Sequence, residues 1–194
     1  MDKNRLIHKI LHETGAEVFS LNKFPDNVKT AYISMIASLA WADGSIDDRE
    51  KQILESIAKS AGEDIANRLE DIINETHDFS LDKYDNWVKE INDQPLKIAL
   101  MVDMFLTAFS DTICMQSESI YMKYIAGKLG IDLDLYDVIR RNVEDYLKEK
   151  SGEAKPVTYE IGEAHKRENR EETAKESAFR RFVNSIIKSL LTVV

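Results

Sequence analysis

The chain has 194 residues, of which 43% are hydrophobic, enough to bury a core, and a formal net charge of −9. This acidity argues against nucleic-acid binding, because affinity for phosphate requires basic groups. One cysteine excludes an internal disulfide and is typical of a reducing compartment. The N-terminus lacks the features of a signal peptide, and no apolar run approaches the ~20 residues of a membrane-spanning helix. We therefore expect a cytoplasmic protein.

Seven Gly and three Pro are few for this length, which favours an all-α fold with few tight turns. Residues 1–24 are predicted to contain an N-terminal helix, because apolar residues recur with helical period along 3–21. Residues 25–149 are predicted to form one compact helical bundle. Capping residues, glycines and prolines divide this bundle into helices over 27–42, 47–62, 64–76, 80–91, 95–110, 116–129 and 134–148.

The C-terminal part changes composition twice. Residues 150–177 are polar and charged, which is typical of a linker or of a solvated helix with i, i+4 charge pairs. Residues 178–194 are predicted to form an amphipathic helical arm. That helix has three candidate uses: folding back on the domain, self-association or binding to a protein partner, and peripheral contact with an anionic membrane surface. Its three basic residues are a modest membrane signal, which favours packing on protein.

The helix predicted over 95–110 is apolar on all sides and is therefore expected in the middle of the bundle. Asp103 interrupts this apolar run. A carboxylate in such a position is costly unless it is paired, hydrogen-bonded, protonated or bound to a cation. Asp103 is therefore a candidate functional residue.

An internal repeat appears when the chain is shifted by 68 residues. Asp43 then aligns with Asp111, and Glu50 aligns with Glu118. Two helical hairpins, about 28–62 and 96–130, share the order buried helix, acidic turn, amphipathic helix and glycine. Such copies often pack about a pseudo-twofold axis, so we expect two pseudo-symmetric halves.

Two interpretations of the repeated acids remain open. If the turns meet at the pseudo-twofold axis, Asp43, Glu50, Asp111 and Glu118 converge, with Asp103 nearby, and form a site for a hard divalent cation such as Ca²⁺ or Mg²⁺. Alternatively, these acids only cap helices, as Asp47 and Glu50 would in a capping box. The turn is not an EF-hand, because its glycine directly follows the first aspartate.

At these residues the chain resembles the tellurite-resistance TerB family, whose domain also precedes the J domain in membrane-anchored DnaJ-like proteins. The helix ending A-W-A-D-G-S-I, Glu50 and Gly62 carry the resemblance, which covers about residues 25–148. It implies an all-helical domain of two pseudo-symmetric halves and a divalent-cation site of clustered acids. Asp43 and Glu50 match the family pattern.

In the second half Asp111 and Glu118 match the pattern, and two positions depart from it. Thr112 replaces the glycine of the first turn, and Gln116 stands where the first half has an acid, Asp48. These departures argue against full symmetry of a cation site formed by the two turns. The chain has no His-Pro-Asp tripeptide, so no J-domain activity is implied.

Together these observations favour a non-enzymatic, TerB-like stress-response protein that binds a divalent cation and acts through protein contacts. The alternative is a structural or interaction module whose 178–194 helix docks on a partner protein or a membrane surface. An enzyme is not expected, because no nucleophile elbow, phosphate loop or zinc-ligand spacing occurs.

Overall fold

The computed structural model describes residues 3–13, 20–41, 45–77, 80–110, 113–151 and 158–160. Helices account for almost all of this part of the chain, which confirms the all-α prediction. A single 3₁₀ turn, Leu21–Lys23, lies between the first two helices. The described α-helices are α1 Lys3–Glu13, α2 Asp26–Ala40, α3 Asp48–Ala61, α4 Glu63–Asn67, α5 Leu69–His77, α6 Leu81–Glu90, α7 Gln94–Ala108, α8 Gln116–Lys128 and α9 Leu133–Ser151.

Helices α2 and α7 form the centre of the bundle. Each has 15 residues, and each is buried on nearly all sides. They pack against one another, as the all-round apolar sequence of both helices predicts. In α7 every residue from Ile98 to Ala108 is buried, including Asp103.

The remaining helices cover this central pair. Helices α5 and α6 pack on α2, whereas α1 and α9 pack on α7 and on each other. The N-terminal helix α1 therefore belongs to the same core, into which it directs Leu6, Ile7, Ile10 and Leu11. Helix α3 contacts both α2 and α7, and so does α8.

Helix boundaries repeat along the chain at the spacing seen in the sequence. Shifted by 68 residues, the bounds of α2 coincide with those of α7, and the start of α3 coincides with that of α8. Gly62 and Gly130, which follow α3 and α8, both have positive φ, 130° and 72°. Only glycine adopts such backbone angles easily, which explains the residue type at both positions. The pseudo-twofold axis itself stays a prediction.

A short strand pair was not expected from the sequence. β1, Ile113–Met115, pairs in parallel with β2, Thr158–Glu160. The second strand lies within residues 150–177, for which we expected a linker or a solvated helix. The pairing brings the chain after α9 back to the turn between α7 and α8.

No described helix combines the length and apolar character needed to cross a membrane.

Three tyrosine residues, Tyr32, Tyr84 and Tyr121, are 0% exposed in this core. The Tyr121 hydroxyl hydrogen-bonds the Ser38 Oγ at 2.6 Å and so connects α8 to α2. Burial raises the pKa of all three phenols, because a phenolate would lose its hydration there.

These raised pKa values predict loss of stability at alkaline pH. Above the ordinary tyrosine pKa of about 10 the unfolded chain releases phenol protons that the folded chain keeps, so the free energy of unfolding falls as pH rises. We expect a slope of about 1.4 kcal/mol per pH unit for each of Tyr32, Tyr84 and Tyr121. Urea unfolding at several alkaline pH values measures this slope. Ionisation of all seven tyrosines in the folded chain at an ordinary pKa would contradict it.

Two leucines offer a matched test of the core. Leu100 is fully buried in α7, whereas Leu133, at the start of α9, is 73% exposed. We expect Leu100→Ala to lower the free energy of unfolding by about 2–5 kcal/mol, because it removes buried methyl groups and leaves a cavity. Leu133→Ala should change it by less than about 0.5 kcal/mol. Urea unfolding of both variants measures the difference, and equal effects would contradict the central position of α7.

Candidate functional site

The two turns that the repeat identified are described only in part. Glu50 and Glu118 lie within the described residues, whereas Asp43 and Asp111 lie outside them. The candidate ligands within the described residues are therefore Glu50, Glu118 and Asp103.

Glu50 stabilises the start of α3. The Asp47 side chain accepts hydrogen bonds from the Arg49 and Glu50 backbone N–H groups, at 2.8 and 2.9 Å. In return, the Glu50 Oε2 accepts from the Asp47 backbone N–H at 2.8 Å. This reciprocal capping box was predicted from the spacing of the two acids and is confirmed.

Glu118 has the corresponding position in the second half. It is the third residue of α8, as Glu50 is the third residue of α3. Both residues are only 8% exposed, although glutamate is usually a surface residue. Cys114, which aligns with the half-buried Ile46, is a buried free cysteine. The helix after each turn therefore carries one nearly buried glutamate as its third residue.

These carboxylates do not by themselves complete a metal site. In the part of the chain that the structure describes, no group of three or more His, Cys, Asp or Glu side chains is placed to hold a metal ion. A site at the turns requires Asp43 and Asp111 as well. The convergence of the four acids stays a prediction, and so does their binding of a divalent cation.

Asp103 is buried and paired. The Lys3 ammonium lies 3.0 Å from its Oδ1, and the Tyr32 hydroxyl donates a hydrogen bond of 2.9 Å to its Oδ2. These contacts provide the compensation that the sequence analysis required for a carboxylate in an apolar helix. The proximity of Asp103 also raises the pKa of Tyr32 beyond the effect of burial. A metal ion at Asp103 would be repelled by the Lys3 ammonium, although its assignment as a ligand stays untested.

Sequence reasoning missed Lys3 and Tyr32 as partners of this carboxylate. Lys3 is separated from Asp103 by 100 residues, and Tyr32 by 71. The pairing of Tyr32 with Asp103 could have been predicted, because each lies in an apolar helix and a buried phenol needs a hydrogen-bond partner. Nothing in the local pattern of α1 selects Lys3 among the lysines.

The amphipathic arm 178–194 lies outside the described residues, as does most of 150–177. Its docking on a protein partner, on a second copy or on a membrane surface stays a prediction. The alternative function that depends on this arm stays a prediction as well.

The pairing of Lys3 with Asp103 predicts a measurable coupling. Lys3→Met keeps most of the aliphatic stem but leaves a buried carboxylate without its counter-ion. We expect a loss of about 1–3 kcal/mol in the free energy of unfolding, less than for a fully buried pair because the Lys3 side chain is 26% exposed. In an Asp103→Asn background, where no buried charge remains, Lys3→Met should change it by less than about 0.5 kcal/mol.

Urea unfolding of the four proteins measures this cycle. Lys51→Met is the matched control, because Lys51 pairs with Glu70 at 3.6 Å on the surface, where such pairs contribute less than about 1 kcal/mol. Equal losses from Lys3→Met with and without Asp103 would show that the two residues are not coupled.

Comparison with known proteins identifies the family. The family model described as "Tellurite resistance protein TerB" matches residues 29–141, more than half of the chain and nearly all of the span from α2 to α9. This confirms the resemblance seen at the acidic turn. No curated protein and no solved structure gave a significant match. The chain belongs to the TerB family of tellurite resistance proteins.

Proposed function

We propose that this TerB-family protein is a non-enzymatic stress-response protein that binds a divalent cation of the Ca²⁺ or Mg²⁺ class and acts through protein contacts. The proposed ligands are Asp43, Glu50, Asp111 and Glu118. One observation supports the cation most strongly: Glu50 and Glu118 have the same position in α3 and α8 and are equally buried. Membership of the TerB family supports the stress-response part.

Helix capping and cation binding are compatible at Glu50. An ionised carboxylate has two oxygens with about four lone-pair sites. The hydrogen bond from the Asp47 N–H uses one of these sites. Carboxylate oxygens are the ligands that Ca²⁺ and Mg²⁺ prefer. A carboxylate therefore has the acceptor capacity both to cap a helix and to bind a cation.

The positions of the acids restrict how a cation would bind. The N-terminus of a helix stabilises a nearby carboxylate by itself. A cation at the turns therefore competes with the N-termini of α3 and α8 for the charge of the glutamates. For this reason a single glutamate would bind a cation too weakly. Acids from both turns have to act together, which is why Asp43 and Asp111 belong to the proposed ligand set.

Glu50→Gln separates the two roles of Glu50. Glutamine also completes a capping box, so the start of α3 should be preserved and the free energy of unfolding should change by less than about 0.5 kcal/mol. The substitution removes the charge, and we expect roughly tenfold weaker cation binding. Glu118→Gln should have a similar effect. Calorimetric titration of the full chain with Ca²⁺, Mg²⁺ and Mn²⁺ measures the affinities.

Two controls complete this experiment. Glu55→Gln removes a half-buried acid from the same helix α3, away from the turn, and should leave the affinity unchanged. Asp43→Asn combined with Asp111→Asn should abolish binding. The cation proposal fails if the unmodified protein binds none of the three ions, or if these aspartate variants bind as tightly as the unmodified protein. In that case the glutamates only cap helices.

A further inference from the structure

A cleft of about 380 Å³ opens where α1, α3, α7 and α9 meet. Its inner surface is apolar and is formed by Ile53 and Ile57 of α3, Leu106 of α7 and Leu147 of α9. Its volume lies in the range of pockets that bind small organic molecules. Among the described acids, Glu50, Glu118 and Asp103 do not line the cleft.

The rim of the cleft is basic, although the whole protein is acidic. Three cations line it, Lys3, Arg49 and Lys150, and none of the described lining residues is an acid. Lys3 is neutralised by Asp103 at 3.0 Å. Among the residues that the structure describes, no acid forms an ion pair with Arg49 or Lys150. These two residues therefore give the rim a positive charge that no described acid neutralises.

The rim also has groups that can orient a ligand. The Lys150 ammonium lies 6.0 Å from the centroid of the Tyr146 ring, a distance at which the ring attracts a cation. This contact holds the ammonium beside the cleft. Gln52, Ser56 and Ser110 supply uncharged hydrogen-bond donors to the same cavity. The lining thus combines an apolar floor, two cations and several polar donors.

We propose that this cleft binds an anionic amphiphile, a molecule with a carboxylate or phosphate head and an unbranched apolar tail. The head would lie between Arg49 and Lys150, since guanidinium and ammonium groups form charge-assisted hydrogen bonds with such anions. The tail would cover the aliphatic floor and lose its contact with water. A free amphiphile and a lipid headgroup with its acyl chain share this chemistry, and the experiment separates them.

The test is calorimetric titration of the full chain with octanoate and octyl phosphate. Both should bind, and both should bind more weakly as salt is added, because the cations are near the surface. Acetate and inorganic phosphate lack the tail, and octylammonium has the opposite charge. Each of these three probes should bind at least roughly tenfold more weakly than octanoate, since each removes either the burial of methylene groups or the charge complementarity.

Variants locate the binding. Arg49→Gln and Lys150→Gln should each weaken octanoate binding by roughly fivefold, and together by more than tenfold. Lys59→Gln is the matched control, because Lys59 is exposed on the same helix as Arg49 but lies outside the cleft. It should leave the affinity unchanged, and Arg49, Lys59 and Lys150 are all exposed.

Three results would overturn the proposal. In the first, the full chain binds neither octanoate nor octyl phosphate. In the second, octylammonium binds as tightly as octanoate. In the third, Lys59→Gln loses as much affinity as Arg49→Gln and Lys150→Gln. Titration with vesicles of anionic phospholipid separates the sources of the ligand. Binding to vesicles without binding of either free amphiphile would mean that a membrane surface, and not this cleft, attracts the protein.

Discussion

The fold depends on the mutual burial of α2 and α7. Each helix is apolar on nearly all sides, so neither is stable in water unless other helices cover its whole circumference. They contact each other, and the amphipathic helices cover the faces that remain. This one requirement explains why α1 joins the core and why α3 and α8, which begin at the acidic turns, lie against the central pair.

Burial of this central pair also determines which polar groups the core tolerates. Asp103 is stable within α7 because Lys3 and Tyr32 reach it from α1 and α2. An interior ion pair contributes less to net stability than to orientation, because removing charges from water is costly. The pair links α1 to α7. It also gives Lys3 a structural role, which leaves Arg49 and Lys150 as the cations of the cleft that have no acid partner among the described residues.

Patterns within one segment, and their repetition, could be predicted from the sequence, whereas contacts between distant segments could not. The apolar run over 95–110 predicted α7, and the spacing of Asp47 and Glu50 predicted the capping box of α3, since helical period and capping are local properties. The helix expected over 64–76 is instead α4 and α5, separated at Arg68. The pairing of β1 with β2 and the partner of Asp103 were missed, because each joins residues far apart in the chain.

The central functional claim is that both turns bind one divalent cation together. Paramagnetic Mn²⁺, added below one equivalent to the full isotope-labelled chain, tests this most directly through the broadening of backbone amide signals. We expect the signals of Asp47 and Cys114 to broaden in parallel. Those of Gly62 and Gly130, about 20 Å away along α3 and α8, should stay sharp. Broadening at one turn only, or equal broadening along both helices, would contradict a shared site.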